Sequence, residues 1–222
     1  GAVGKNGGDL YNEWKESLRK EYASRTSALK DKLVQGEIIA DEGFGNFYPA
    51  FSPDGKSIAY VSNKQADYFS LSSLYLYNVA LKTEKLLRPG VRSNISWSPD
   101  GKKIYYSRIS RQNDHWSNLF DLYVYDIERD EETRLTHGLR ANAPAASPDG
   151  RRIAYVAGSD GTLNLYTMSP DGSDIRNMTG YSQGEQVYNP KWSPDGAAIL
   201  FDYSVKDGRD IGLIPADGGP PT

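Results

Sequence analysis

The sequence predicts an all-β chain: a β-propeller with four recognisable blades, preceded by one N-terminal amphipathic α-helix. Three observations carry this reading. A Ser-Pro-Asp-Gly tetrapeptide occurs four times, an apolar segment follows each copy, and the composition favours pleated surfaces. The copies are Ser52-Pro53-Asp54-Gly55, Ser98-Pro99-Asp100-Gly101, Ser147-Pro148-Asp149-Gly150 and Ser193-Pro194-Asp195-Gly196, spaced 46, 49 and 46 residues apart. That period is the length of a propeller blade. Aromatics reach 12%, with 16 Tyr against 2 Met, and such side chains pack well on half-buried sheets. The 22 Gly and 12 Pro are scattered along the chain, as punctuation between many short strands should be.

Each tetrapeptide reads as a hairpin turn. Proline presets φ at the first central position, aspartate bonds nearby backbone N–H groups, and glycine accepts positive φ before the next strand. The segments that follow, 58–61, 104–106, 153–156 and 199–201, are apolar on both faces, as expected of sheets stacked against neighbours on either side. A third strand is expected at 74–77, 122–125, 163–166 and 211–214, and a more polar fourth at 85–87, 133–136 and 175–179. The fourth unit lacks that outer strand. Segment 37–40 (Glu-Ile-Ile-Ala) is expected to be a strand that either completes the fourth blade or serves a later blade of a larger propeller, the second reading being preferred. Apolar blade faces left open in this way predict self-association or a covering partner.

The predicted organisation is a helix and linker over 1–36 and propeller blades over 37–222, with boundaries near 37–90, 91–138, 139–180 and 181–222. Within 9–35, Tyr11, Trp14, Leu18, Tyr22, Leu29 and Leu33 keep helical spacing among Lys, Glu and Arg, with Asp9 as the expected cap and Gly36 as the stop.

Composition also excludes some functions. A net charge of −3 provides no broad positive field for a phosphate backbone, so no nucleic-acid partner is expected. The absence of Cys rules out a disulfide framework and thiolate metal sites. No apolar run is long enough for membrane insertion, and residues 1–8 lack the features of a signal peptide, so any export signal is expected outside this sequence.

No catalytic constellation stands out. Gly180-Tyr181-Ser182-Gln183-Gly184 matches a hydrolase string, but no helix is predicted after it, and Ser27-x-x-Lys30 lies within the predicted helix without companion motifs. His115 and His137 lack a second ligand at metal-binding spacing, so no metal or cofactor is expected. The repeated aspartates belong to the turns. What does stand out is the uneven length of the loops joining second and third strands, on the rim opposite the tetrapeptide turns. Those at 62–73 and 107–120 are long, and they carry Tyr68, Phe69, Arg108, Arg111, Asp114, His115 and Trp116. Aromatic and guanidinium groups clustered on adjacent loops have the composition of a binding hot spot, and these seven residues are the candidate ligand site.

Asn189-Pro190-Lys191-Trp192-Ser193-Pro194-Asp195-Gly196 resembles the WD-like repeats of the TolB family of β-propellers, and the likeness extends over 46–219. The resemblance implies a non-catalytic module of a larger exported bacterial protein, periplasmic or extracellular, that binds a protein or polymeric ligand. TolB itself carries an α/β domain before its propeller that this sequence lacks. The junction Asp41-Glu42-Gly43-Phe44-Gly45-Asn46-Phe47-Tyr48-Pro49 is similar to one in exported proteins that place a zinc peptidase-like domain ahead of such a propeller. Similar blades occur in prolyl-oligopeptidase-like peptidases and oligogalacturonate lyases. The alternative expectations are therefore an accessory propeller of a peptidase or other hydrolase, or a glycan-active propeller.

Overall fold

The computed structural model describes residues 4–30, 32–68, 71–110, 117–205 and 208–221. The chain divides into two compact units, Gly1–Ile39 and Ala40–Thr222.

The first unit is one helix, α1 (Gly7–Lys30), which buries none of its residues. Its cap is Asn6, not Asp9. The Asp9 N–H donates to Asn6 Oδ1 at 2.9 Å, while Asn6 Nδ2 donates back to Asp9 Oδ2 at 2.7 Å. The aspartate is therefore the third residue of a reciprocal cap, where its charge also suits the helix dipole. Regular helix ends at Lys30, short of the expected Gly36.

The second unit is a four-bladed β-propeller. Blade 1 comprises β1 (Asn46–Phe51), β2 (Ser57–Ser62), β3 (Ser73–Asn78) and β4 (Thr83–Pro89). Blade 2 comprises β5 (Ser96–Trp97), β6 (Lys103–Ser110), β7 (Leu119–Asp126) and β8 (Glu131–Arg134). Blade 3 comprises β9 (Asn142–Ala146), β10 (Ile153–Ser159), β11 (Thr162–Met168) and β12 (Arg176–Asn177). Blade 4 has β13 (Gln186–Trp192), β14 (Ala198–Val205) and β15 (Gly208–Pro215). Each sheet is an antiparallel meander in chain order.

The tetrapeptide turns join the first two strands of every blade, and all four have the same internal bonding. Each serine hydroxyl donates to the aspartate Oδ1, at 2.7, 2.5, 2.6 and 2.5 Å in chain order. The same carboxylate accepts the N–H two residues on, from Lys56, Lys102, Arg151 and Ala197. Gly55, Gly101, Gly150 and Gly196 have φ of 71°, 72°, 70° and 73°, which only glycine adopts without cost. The turns are structural, as the repeat implied.

Three apolar layers hold the blades together. Ala59, Val61 and Leu74 meet Ile104, Tyr106 and Tyr125 between blades 1 and 2. Tyr105, Leu122 and Val124 meet Ile153, Tyr155 and Met168 between blades 2 and 3. Ala154, Val156 and Leu165 meet Val187, Ile199 and Phe201 between blades 3 and 4. At about 1.5–3 kcal/mol for each large side chain removed from water, these layers are the main source of stability. Tryptophans preceding the turns fasten neighbouring blades: Trp97 Nε1 donates to the Ala50 carbonyl at 3.1 Å and Trp192 Nε1 to that of Ala145 at 2.9 Å. Phe51 holds the equivalent position in blade 1 and is 64% exposed.

The expected strand at 37–40 is absent. Ala40 instead packs on Ile58, Tyr60, Tyr75 and Tyr77, and Asn46 Nδ2 donates to the carbonyls of Ala40 and Glu42, both at 3.2 Å. Ala40 thus gives a side chain to the face of blade 1, and none of 37–40 joins a ladder. Blade 4 remains three-stranded among the described residues. Its near face is buried through Ile199, Phe201 and Ile214, whereas Leu200, Ile211 and Leu213 on the far face are exposed.

Candidate functional site

Four residues before each turn serine stands a residue that looks onto the propeller axis: Tyr48, Asn94, Ala143 and Asn189. All four line one cavity of about 230 Å³, together with Arg92, Ser93, Ser107, Phe120, Asn142 and Tyr188. Every blade thus contributes its equivalent position to one central site. The inner strands are shaped for this. Ladder register shifts between Phe47 and Ala50, between Ala154 and Val156, and between Tyr188 and Lys191, so the strand bulges and re-aims these side chains. Tyr48, Ala143 and Asn189 adopt φ of 54°, 54° and 50°. Left-handed backbone costs about 1–2 kcal/mol for ordinary residues, and such strain concentrates at functional positions.

The cavity opens on the rim opposite the tetrapeptide turns, since its lining comes from the starts of inner strands and from the connection between blades 1 and 2. Ser107 is fully buried and its hydroxyl has no hydrogen-bond partner among the described residues, although its N–H donates to Ser93 Oγ at 2.7 Å. Arg92 forms no ion pair among the described residues. Arg209 stacks over Tyr188 at 4.8 Å. Among the described residues the lining offers amides, hydroxyls, aromatic faces and cationic charge, but no carboxylate or histidine that could pair with a nucleophile. Such a surface can grip a ligand rich in acceptors. The hydrolase-like string 180–184 lies in the connection between β12 and β13, and a strand, not a helix, follows it.

Of the seven rim residues expected from sequence, Phe69, Arg111, Asp114, His115 and Trp116 lie outside the described residues. Tyr68 is 70% exposed and lines a recess of about 450 Å³ with Phe44, Asn63 and Gln65 on the same rim. Arg108 is placed differently. Its guanidinium pairs with Glu132 at 2.8 Å and lies over the Tyr123 ring at 4.9 Å, so it serves the sheet as a partner for that carboxylate. The uneven loops are present: β10 and β11 are joined through Asp160 and Gly161 alone, whereas ten residues separate β2 from β3.

The axial residues were not singled out from sequence. The available signal was the residue before proline at one fixed offset in three repeats, Tyr48-Pro49, Ala143-Pro144 and Asn189-Pro190. A second missed feature is Asp121, fully buried at the start of β7. It accepts from Arg134 at 2.7 Å, the Thr136 hydroxyl at 2.8 Å and the Gly138 N–H at 3.1 Å, and so fixes the connection from blade 2 to blade 3.

The comparisons with known proteins agree with this architecture. An uncharacterised protein of Agrobacterium fabrum is 35% identical over 192 residues, covering 81% of this chain and 62% of that protein. The Tol-Pal system protein TolB of Francisella tularensis subsp. mediasiatica is 28% identical over 157 residues, covering 69% of this chain and 34% of the relative. The chain therefore spans less than two thirds of each. A solved structure assigned to TolB of Agrobacterium tumefaciens superposes with a TM-score of 0.69 at 30% identity, covering 82% of this chain and 67% of that one. The profile of the TolB beta propeller domain matches residues 34–218, and the chain belongs to that family.

Proposed function

We propose that this chain is a non-catalytic recognition module of an exported bacterial protein, which holds a segment of a partner protein at the axial mouth of the propeller. One observation carries the reading: the equivalent residue of all four blades converges on a single cavity, lined also by a buried hydroxyl and a guanidinium that have no hydrogen-bond and no ion-pair partner, respectively, among the described residues. A buried hydroxyl without a partner costs about 1–3 kcal/mol, which a bound acceptor recovers. Kinship with a Tol-Pal system protein supports a protein ligand and a periplasmic location. No helix among the described residues is long and apolar enough to cross a membrane. In this reading Tyr68, with Phe69, Arg111, Asp114, His115 and Trp116 of the connections that follow β2 and β6, supplies the outer part of the contact, and Arg108 takes no part in it.

Peptides selected by display on the immobilised chain test the idea. Asn189→Trp fills the axial cavity and should weaken the selected peptides about 100-fold or more, while Arg111→Ala with Trp116→Ala should weaken them about tenfold at unchanged melting temperature. Selected peptides that bind the filled variant with unchanged affinity would show that the axial mouth is not the recognition site.

A further inference from the structure

Blades 1 and 2 each place a tyrosine eight residues after the turn serine and satisfy its hydroxyl with a glutamate from the outer strand. Tyr60 donates to Glu84, and Lys64 approaches both; Tyr106 donates to Glu132, which also pairs with Arg108. Arg88 comes from the preceding blade to within 4.0 Å of Glu132. Burial raises the affinity of Glu84 for a proton, yet the bonds from Lys64 and Tyr60 prevail and hold it below its ordinary pKa. The set is a donor phenol, a carboxylate and a cation.

Blade 3 keeps the phenol and has lost the rest. Tyr155 occupies the position of Tyr60 and Tyr106, stacks on Tyr166 at 5.6 Å, and is fully buried. Its hydroxyl has no hydrogen-bond partner among the described residues. Extending the β11–β12 register by one residue puts Ile175 where Glu84 and Glu132 stand, and Ala157 replaces Arg108. The vacated volume is a cleft of about 410 Å³ bounded by Tyr155, Tyr166, Ala157, Ile175, Leu139 and Arg140. Arg140 belongs to the connection fixed by Asp121, is exposed, and forms no ion pair among the described residues. Asp160 also lines the cleft and opposes an anion, so the charge balance there rests on Arg140.

The geometry points to a second binding site: the blade 3 cleft takes a glutamate side chain of a partner polypeptide, supplying from outside the carboxylate that blades 1 and 2 supply internally. The phenol of Tyr155 donates to the incoming carboxylate, Arg140 neutralises it, and Ile175, Leu139 and Tyr166 pack the aliphatic stem. Burial pushes the Tyr155 hydroxyl well above its ordinary pKa, so it stays protonated as a donor. The site is separate from the axial mouth, and neither depends on the other.

The probe is a blocked tripeptide, acetyl-Ala-Glu-Leu-amide, titrated calorimetrically against its glutamine counterpart, with free glutarate as a third arm. The glutamate peptide should bind at least tenfold more tightly than the glutamine peptide, because a hydrogen bond to a charged acceptor outweighs a neutral one. It should also bind more tightly than glutarate if the flanking backbone contributes. Tyr155→Phe should cost about tenfold in affinity and leave the melting temperature equal or higher, since it removes an unpartnered polar atom. Ile175→Glu restores the internal carboxylate and should abolish binding while raising the melting temperature. Asn189→Trp should leave this binding unchanged, which separates the two sites. The proposal is overturned by equal binding of the glutamine peptide, by absence of binding in the millimolar range, or by a destabilised Tyr155→Phe variant, which would mean that the hydroxyl is already satisfied.

Discussion

Replacing Asp121 by alanine removes a fully buried carboxylate that gathers donors from Arg134, Thr136 and Gly138. Arg134, whose side chain is only 14% exposed, keeps its Nε bond to the Thr136 carbonyl but loses the 2.7 Å pair with this carboxylate, while the Thr136 hydroxyl and the Gly138 N–H lose bonds of 2.8 and 3.1 Å. Removing one member of a buried ion pair typically costs about 3–5 kcal/mol, because the remaining charge loses the carboxylate that compensates its burial, and the lost loop bonds are not additive with it. For a domain of this size, about 1 kcal/mol moves the melting temperature by about 2–4 °C, so a fall of about 6–20 °C is expected. Asp121→Asn keeps one acceptor and should lie between variant and parent. Thermal and urea unfolding give the stability, and hydrogen exchange at Gly138 and Leu139 tests whether the loss is local to this connection. Adding Arg134→Met to Asp121→Ala should recover part of the loss, because the guanidinium charge is removed together with the carboxylate that balanced it. A loss below about 1 kcal/mol, or a double variant no better than the single one, would refute the claim that this carboxylate organises the blade 2 to blade 3 connection.

Three further outcomes follow from the geometry. The serine hydroxyls first, and the backbone amides second, hold Asp54, Asp100, Asp149 and Asp195 below the usual carboxylate pKa. Their stabilisation is complete above the unfolded value of about 3.9 and is lost as pH falls through the folded values, so melting temperature should drop below about pH 4, and an unaltered acid limb in the fourfold Asp→Asn variant would contradict this. Trp192→Phe deletes the 2.9 Å bond to the Ala145 carbonyl while keeping most of the ring's area, and should cost about 0.5–1.5 kcal/mol in urea unfolding; no change would mean that the indole N–H does not fasten blade 4 to blade 3. The exposed far face of blade 4 should drive self-association at high concentration, and Ile211→Lys with Leu213→Lys should abolish it in sedimentation velocity, whereas a parent chain that stays monomeric would remove the case for an interface there.

The parts of the fold that were legible in sequence are those fixed by local chemistry. Ser-Pro-Asp-Gly specifies its own bonding pattern, so its recurrence located every β1–β2-type hairpin, and apolar runs such as Ile153-Ala154-Tyr155-Val156 located the strands stacked on both sides. Local pattern misled where tertiary context decides. Segment 37–40 has strand-forming residues, but it pairs with no strand, and its Ala40 packs on the face of blade 1. Asp9 looks like a cap until Asn6 is seen to bond it. Arg108 reads as a free rim charge, yet its partner Glu132 lies 24 residues away on the outer strand, a pairing that only sheet register reveals. The axial residues were obscure for the same reason. Each is ordinary in its own repeat, and no one chemistry is common to Tyr48, Asn94, Ala143 and Asn189.

That lack of shared chemistry follows from how the repeat divides its tasks. On one rim every blade must close the same hairpin, and the serine and aspartate there satisfy backbone groups, so their identity is held by local bonding. On the opposite rim and at the axis, side chains point into common space after their backbone is already fixed by bulge and ladder, so no local bond dictates them and they are free to differ. The outer strand lies between these cases. Its glutamates in blades 1 and 2 satisfy a buried phenol, and a blade that loses the glutamate while keeping the phenol, as blade 3 does at Ile175 and Tyr155, keeps an unmet hydrogen bond in an otherwise intact layer. Net stabilities of domains are small, so an unmet bond worth about 1–3 kcal/mol is a substantial charge on this one. The most economical account is that the missing acceptor arrives with a ligand, and substituting Ile175 by glutamate is the direct way to ask whether blade 3 is complete without one.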